Sequence, residues 1–148
     1  MNNPSVQIRL AEMQDAEMIA ILLGQMGYPQ QLSQLQKRLQ QLIAHPQEML
    51  LVGVHDNRVC GFLSLHYIPQ LALAGDFARI SYFCVDEALR HQKIGQQMLH
   101  YAEQHAIQHG CDRMELHSSA HRTGAHRFYQ KHGYAESPKY FIKMLPQP

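Results

Sequence analysis

The sequence has few cysteines, and they lie too far apart to build a cross-linked or metal-bound framework. Its 148 residues contain three, Cys60, Cys84 and Cys111, and no Cys-x-x-Cys pair. The odd number and wide spacing argue against a disulfide framework and a zinc knuckle, and favour reduced, mostly buried thiols. The eleven histidines fall into no recognised ligand spacing with a carboxylate or cysteine, so we expect no metal site.

Long apolar runs and an excess of charge are also lacking. The N-terminal stretch MNNPSVQIRL lacks the apolar region of a signal peptide, and no run approaches the length of a membrane span. A net charge of +1 gives no electrostatic reason to expect binding to nucleic acid or to a membrane. We therefore expect a cytoplasmic enzyme or binding protein. A chain of this length without a repeat or linker predicts one domain over residues 1–148.

The sequence does contain a succession of strand and helix patterns, which predicts an α/β fold. Strands are predicted over 6–11, 48–55, 58–68, 79–85, 112–119 and 140–145. Helices are predicted over 13–26, 32–45, 94–110 and 124–132. Ser33 and Gln36 form a capping-box pattern in the second helix, and Asp56-Asn57 predicts a tight hairpin turn.

The strand–helix–strand unit of 79–119 is the first place where chemistry is expected. A crossover of this length implies two parallel strands, and ligands of such units lie beyond the carboxyl ends of the strands. The helix N-terminus offers backbone N–H groups and a partial positive charge, to which Arg90 and Lys93 add cationic donors. This unit alone leaves two alternatives open: a phosphate site and a surface helix with a basic first turn.

Two motifs resemble the GNAT superfamily of acetyl-coenzyme A-dependent N-acetyltransferases. The family's loop, Arg/Gln-x-x-Gly-x-Gly/Ala after a strand ending in Val, is matched by Val85, Arg90 and Gly95, with Lys93 replacing the first glycine. A Phe-Tyr pair on a short helix, followed by Gly-Phe/Tyr, is matched by RTGAHRFYQKHGY at 122–134. The resemblance covers nearly the whole chain. It implies a GNAT fold, with a mixed central sheet of six to seven strands, four helices and the cofactor at a splayed parallel strand pair.

The resemblance also implies where acetyl-coenzyme A (acetyl-CoA) binds. The backbone of Phe83, Cys84 and Val85 would hold the pantetheine arm. The pyrophosphate would be held by amides of the loop and helix start: Arg90, His91, Gln92, Lys93, Ile94, Gly95 and Gln96. Tyr129 would protonate the departing thiolate, because an unperturbed phenol has a pKa of about 10 and a thiol one of about 8.5. A core aromatic beside Ala125 is the alternative for this tyrosine.

The general base departs from the family pattern. Many relatives carry a carboxylate in the middle of the strand before the loop, where this sequence has Ser81 and Tyr82. A water relay through His66 or His117 is one alternative, since imidazole changes charge near neutral pH. A strand-end side chain without a catalytic role is the other for His66. The candidate acceptor-binding residues are His66, Tyr82, His117 and Arg122; Arg122 either contacts a ligand or caps the preceding strand.

The resemblance implies direct transfer of the acetyl group of acetyl-CoA to a primary amine in a ternary complex. AHRFYQKHGYAES and GFLSLH are similar to small-molecule acetyltransferases, including those of aminoalkylphosphonates. The near-neutral charge does not favour a polycationic acceptor such as an aminoglycoside. MGYPQ at 26–30 and the loop 69–77 are expected to border the acceptor cleft. The alternatives are a catalytically silent acyl-CoA-binding or sensing module and a protein N-acetyltransferase; a homodimer joined through 140–145 also stays open.

Overall fold

The computed structural model describes residues 5–90, 92–118, 123–137 and 140–147. Contacts within the chain group the protein into two compact units, 1–116 and 117–148. The first unit contains the sheet and three helices, and the second contains the fourth helix. The expectation of one domain over the whole chain stays a prediction.

The first unit is built on a five-stranded mixed sheet with the strand order β1-β2-β3-β4-β5. The strands are β1 Gln7–Leu10, β2 Glu48–His55, β3 Arg58–Ile68, β4 Asp76–Val85 and β5 Cys111–Leu116. Neighbours are antiparallel except β4 and β5, which are parallel as predicted for the strand–helix–strand unit. Asp56 and Asn57 join β2 to β3 with positive φ values of 52° and 60°, as a tight hairpin turn requires.

The predicted sheet of six to seven strands is wrong, because the described residues form five. The segment 140–145, YFIKML, was expected to be a strand, but the structure assigns none to residues 140–147. A strand exists only where a neighbour pairs with its backbone, whereas periodicity records the side-chain pattern alone. The apolar side chains of this segment are exposed, Phe141 to 91%. A homodimer joined through this segment stays a prediction.

Four helices are found in the described residues, as predicted. They are α1 Ala16–Gln25, α2 Leu32–Ala44, α3 Ile94–Gln108 and α4 Thr123–Lys131. The capping box predicted at Ser33 is wrong, since α2 begins at Leu32 and its N-cap, Gln31, makes no side-chain capping bond. Leu35 and Leu39 are the buried residues of α2. Packing of this apolar face stabilises the helix without a cap.

One face of the sheet packs against α1 and α2. Val52, Phe62 and Cys84 lie side by side in register across β2, β3 and β4, and all three are buried. They form one hydrophobic cluster with Leu22 of α1 and Leu39 of α2. Full burial of a Leu, Val or Phe side chain contributes about 1.5–3 kcal/mol, so this cluster fixes both helices over the sheet.

The opposite face packs closely against α3. Successive residues of a strand point to opposite faces, and Gly53 and Gly61 present this second face. A Cβ at Gly61 would lie 2.9 Å from Met98 Sδ and 2.9 Å from the carbonyl oxygen of Cys84. At Gly53 a Cβ would lie 3.0 Å from the same sulfur. Glycine at both positions therefore allows α3 to approach the sheet closely.

A partly buried ion pair joins the start of α1 to β1. Asp15 is 4% exposed and accepts hydrogen bonds from Arg9 Nη1 at 2.8 Å, Arg9 Nη2 at 3.0 Å and the Glu12 N–H at 2.8 Å. Burial raises the pKa of Asp15, but the hydrogen bonds from Arg9 and Glu12 and the charge of Arg9 outweigh it. The pKa of Asp15 therefore lies below its ordinary value of 3.8. The resulting stability is lost as the pH falls from 3.8 through that lower value.

The three cysteines are free, as predicted, with Cys60 and Cys84 buried and Cys111 partly buried. Burial raises the pKa of the Cys60 and Cys111 thiols, which keeps them protonated and unreactive at neutral pH. No helix in the described part of the chain is long and apolar enough to cross a membrane. Across the described ranges, no group of three or more His, Cys, Asp or Glu side chains is placed to hold a metal ion.

Candidate functional site

A cavity of about 340 Å³, called the sheet cavity below, lies on the face that α1 and α2 cover. Leu50, Ser64 and Tyr82 form one row across β2, β3 and β4 and contribute to its floor. The apolar side chains that the two helices contribute are Ile19, Leu23, Leu35, Leu39 and Leu42. The remaining lining side chains carry polar atoms, and these are the groups that can orient a ligand there.

A β-bulge in β4 brings two adjacent side chains into the sheet cavity. Tyr82 pairs with Ser64 and Ile80 pairs with Leu65, so Ser81 is an extra residue opposite β3. Ser81 and Tyr82 both line the cavity, whereas in a regular strand neighbouring side chains point to opposite faces. These two positions, where the family pattern led us to look for a carboxylate, thus lie directly at the cavity.

A chain of hydrogen bonds runs from β2 through β3 to this bulge. Glu48 and His66 are opposite each other in the register, and the Glu48 carboxylate is hydrogen-bonded to His66 Nδ1. His66 Nε2 lies 2.5 Å from Ser81 Oγ. When the carboxylate accepts from Nδ1, the tautomer with its proton on that nitrogen leaves Nε2 as the acceptor of the Ser81 hydroxyl. A carboxylate, an imidazole and a hydroxyl in this order can take up a proton, with the carboxylate stabilising the imidazolium.

Glu48 is the residue of this chain that sequence reasoning missed. Counting back from the Asp56-Asn57 turn, which pairs His55 with Arg58, places Glu48 opposite Leu65. A register shift between Gly53 and Val54 moves it opposite His66 instead. Since one residue of register exchanges the two faces of a strand, the pair is visible only in the three-dimensional structure.

The segment 26–30 lies at the sheet cavity, because Tyr28 and Gln30 line it. The Tyr28 ring packs edge-on against Tyr82, with ring centroids 5.5 Å apart and planes at 86°. None of the described residues of the loop 69–77 lines this cavity. His66 and Tyr82, two of the four candidate acceptor-binding residues, are thus brought together here.

The charged lining of the sheet cavity is a single arginine. Arg38 of α2 is the one Lys, Arg, Asp or Glu among the described residues that line it. Its Nη1 donates a hydrogen bond to Gln41 Oε1 at 3.1 Å. Arg38 is a second residue that sequence reasoning missed, because the sequence of α2 does not show that this side chain lines a cavity.

The loop between β4 and α3 carries the predicted anion site. The guanidinium of Arg90 donates from Nε to the carbonyl oxygen of Val85 at 3.3 Å. Lys93 is the N-cap of α3 and has left-handed backbone angles, φ 66° and ψ 14°. This is the position at which the family motif has glycine, the residue that takes such angles at least cost. Lys93 adopts the glycine-type turn, and the first turn of α3 contains no acidic residue.

The other predicted cofactor residues are arranged around this loop. Ile94 is buried in the first turn of α3, and Gly95 and Gln96 follow it in the same turn. In β4 the thiol of Cys84 donates to the carbonyl oxygen of Leu22 at 3.6 Å, within the core, while the backbone of Phe83 to Val85 pairs with β3. Gln92 lies next to Lys93, and His91 lies outside the described residues. Their contact with a cofactor stays a prediction.

Tyr129 lies on α4 in the second unit. Its ring contacts the rings of Phe128 and Tyr134, with centroids 5.4 Å and 5.8 Å apart. Its carbonyl oxygen accepts a hydrogen bond from the Tyr134 N–H at 3.0 Å, just after Gly133 ends the helix with φ 93°. His117 of the same unit stacks on Tyr140, with ring centroids 4.3 Å apart. Arg122 lies outside the described residues.

Comparison with known proteins finds a matching family model, a relative by sequence and solved structures with a similar fold. A model of the acetyltransferase (GNAT) family matches residues 15–134. The aminoalkylphosphonate N-acetyltransferase of Salmonella typhimurium is 37% identical over 94 residues, which are 64% of this chain. The chain spans 61% of the length of that relative.

Two solved structures show how closely the fold is shared. A GNAT family acetyltransferase from Staphylococcus aureus superposes with a TM-score of 0.82, at 23% identity, over 95% of this chain and 99% of that one. An aminoglycoside N-acetyltransferase, solved in complex with CoA, superposes with a TM-score of 0.85, at 13% identity, over 97% of each chain. At these identities the likeness establishes the fold alone.

Proposed function

Because the chain belongs to the GNAT family of acetyltransferases, we propose that it transfers the acetyl group of acetyl-CoA to a primary amine of a small molecule, directly and in a ternary complex. The observation that carries this proposal is the Glu48–His66–Ser81 hydrogen-bond chain in the sheet cavity. It supplies a proton acceptor at a place where an amine can bind. A cavity of about 340 Å³ is at the small end of ligand sites, which favours a compact acceptor.

The start of α3 fits the diphosphate of acetyl-CoA. Its unpaired helix N–H groups and dipole favour an anion, and Arg90 and Lys93 add two positive charges without an acidic residue in the first turn. Amides from Arg90 to Gln96 would hold the pyrophosphate, and the backbone of Phe83 to Val85 would hold the pantetheine arm. The bound cofactor supplies an activated acetyl thioester.

His66 is the proposed general base. As the amine nitrogen bonds to the acetyl carbon, a proton moves from nitrogen to His66 Nε2, directly or through the Ser81 hydroxyl. Glu48 holds the ring by Nδ1 and stabilises the imidazolium that forms. The missing strand carboxylate is thereby replaced by one on β2 that acts through an imidazole.

Tyr129 is the proposed general acid. Its phenol gives a proton to the sulfur as the carbon–sulfur bond breaks, so the proton lost by the amine is balanced by the one gained by the thiol. The support for this role is the motif RTGAHRFYQKHGY, which falls inside the family match. The products are an N-acetylated amine and free CoA.

The test is an acetylation screen over a panel of small primary amines, followed by thiol release and by mass of the product. We expect acetyl-CoA consumption with at least one amine, and a fall in turnover of about 10²–10⁴-fold in Tyr129→Phe. Full turnover in Tyr129→Phe would remove this residue from the reaction. Binding of CoA in a calorimetric titration, without transfer to any amine or to peptide N-termini, would instead favour a catalytically silent acyl-CoA-binding module.

A further inference from the structure

The sheet cavity has an uneven distribution of charge. Arg38, on α2, is its one permanently charged lining residue among those described, and it forms no ion pair with a described carboxylate. Its side chain is exposed to solvent and donates to the neutral Gln41, so no described anion pairs with its charge. A guanidinium beside a mostly apolar wall gains most from a partner that brings negative charge.

The base lies on a different wall of the same cavity. His66 and Ser81 belong to the sheet floor, on β3 and β4, whereas Arg38 belongs to the helix that covers the floor. An acceptor bound between them meets a proton acceptor on one side and a cation on the other. Leu50 and Phe62 also line the cavity and offer apolar surface for a short alkyl chain.

We propose that Arg38 forms an anion subsite for the acceptor, which is a short alkylamine carrying an oxyanion, either a phosphonate or a carboxylate. This inference rests on the proposed function, because it names the class of acceptor for the same reaction. The planar guanidinium pairs with two oxygens of such a group, while the amine is placed at His66. A second cationic group would instead be repelled by Arg38, since no described lining residue is acidic.

The similarity to the aminoalkylphosphonate N-acetyltransferase supports this direction of charge. An aminoglycoside N-acetyltransferase, whose named substrate class is polycationic, has the same fold as this chain, so the fold itself does not identify the charge of the acceptor. The charge of the cavity lining favours the anionic amine.

The experiment compares four acceptors of similar length: aminoethylphosphonate, β-alanine, propylamine and ethylenediamine. We expect kcat/KM for the better anionic amine to exceed that for propylamine by roughly 10–100-fold, mainly through KM, and ethylenediamine to be the poorest acceptor. In Arg38→Gln this anionic-to-neutral ratio falls towards one, and Arg38→Lys retains part of it. Lys37→Gln removes an exposed cation from the same helix that does not line the cavity and should leave the ratio unchanged.

The two anionic acceptors identify the oxyanion, since a preference for aminoethylphosphonate or for β-alanine assigns the subsite to that group. Equal kcat/KM for propylamine and both anionic amines overturns the subsite while leaving the proposed acetyl transfer intact. A loss of all activities in Arg38→Gln without a change in their ratio also overturns it. Failure of every amine to consume acetyl-CoA contradicts the proposed function itself. Thermal unfolding of each variant separates these outcomes from misfolding.

Discussion

The two faces of the sheet are built from the same strands, but one is packed closely against α3 and the other contains the sheet cavity. On the α3 face, Gly53 and Gly61 allow Met98 to approach until a single added Cβ would collide with it. On the other face, α1 and α2 leave a cavity of about 340 Å³ in which His66 and Ser81 are hydrogen-bonded. Because neighbouring residues point to opposite faces, substitutions one position apart are expected to change different properties, stability on one side and activity on the other.

The largest expected effect is on activity, at His66. His66→Gln keeps a side chain that can bond Glu48 but removes the proton acceptor, so kcat/KM should fall by about 10²–10⁴-fold, with the melting temperature little changed. His100→Gln is the matched control, because His100 is exposed on α3 and does not line the cavity. Steady-state kinetics and thermal unfolding measure the two quantities. Equal activity in both variants would contradict the assignment of the base.

The next effect is on stability, at the ion pair that holds α1 on the cavity side. Asp15→Ala removes the buried acceptor of Arg9 and Glu12 and should lower the free energy of unfolding by about 3 kcal/mol at neutral pH. Because the pKa of Asp15 is depressed in the folded state, the deficit should shrink as the pH falls below 3.8. Urea unfolding across this pH range tests both points.

Glu17→Ala is the control for Asp15→Ala. Glu17 is an exposed acid in the first turn of α1, so its removal should change the free energy of unfolding by only about 0.5 kcal/mol. A deficit for Asp15→Ala that does not depend on pH would show that packing, rather than the ion pair, accounts for it.

On the α3 face, Gly61→Ala should destabilise the protein by about 2 kcal/mol. The added Cβ meets both Met98 Sδ and the backbone oxygen of Cys84 at 2.9 Å, and the backbone of a central strand cannot move aside easily. Gly24→Ala, in α1, meets nothing within 4 Å and should raise the free energy of unfolding by about 0.5–1 kcal/mol. If denaturant unfolding showed a change of the same sign in both variants, crowding at Gly61 would not explain its effect.

The smallest effect on stability is expected at Lys93, the N-cap of α3, which belongs to neither face of the sheet. Lys93→Gly should stabilise the fold by about 1 kcal/mol, because glycine takes the left-handed backbone at lower cost. Lys93→Gln removes the same charge without this relief. If the side chain binds the pyrophosphate, titration calorimetry should show weaker CoA binding in both variants. Weaker binding in Lys93→Gly alone would assign the effect to the backbone, because Lys93→Gln removes the charge and keeps the backbone cost.

The sequence patterns correctly predicted structural features that depend on residues adjacent in the chain. The bounds of β2 and β3, the hairpin turn between them and the start of α3 at Ile94 are confirmed, because periodicity and turn residues are local signals. The prediction for 140–145 failed, because pairing with another strand is not a local property. The cap of α2 was misplaced because the burial of Leu35 and Leu39, and not a capping bond, stabilises this helix.

The residues proposed for the cofactor are neighbours in the sequence, whereas those of the sheet cavity are brought together by the fold. Arg90, Lys93 and Gly95 are close together in the sequence and share one loop, so a motif describes them, although their contact with CoA stays a prediction. Glu48 and His66 are brought together by a register shift between β2 and β3. Arg38 reaches the same cavity from a helix, and no spacing in the sequence links it to the other two.

The bulge at Ser81 has a consequence for how such a site can change in evolution. Ladder pairing resumes on both sides of it, at Ile80 and at Tyr82, so a residue gained or lost there alters the cavity without turning any core side chain to the other face. At this position the number of residues in the strand can change while the packing of its core side chains stays the same. In a regular strand an insertion or deletion exchanges the two faces and disrupts the core. At this bulge it can instead replace one reactive side chain of the cavity by another.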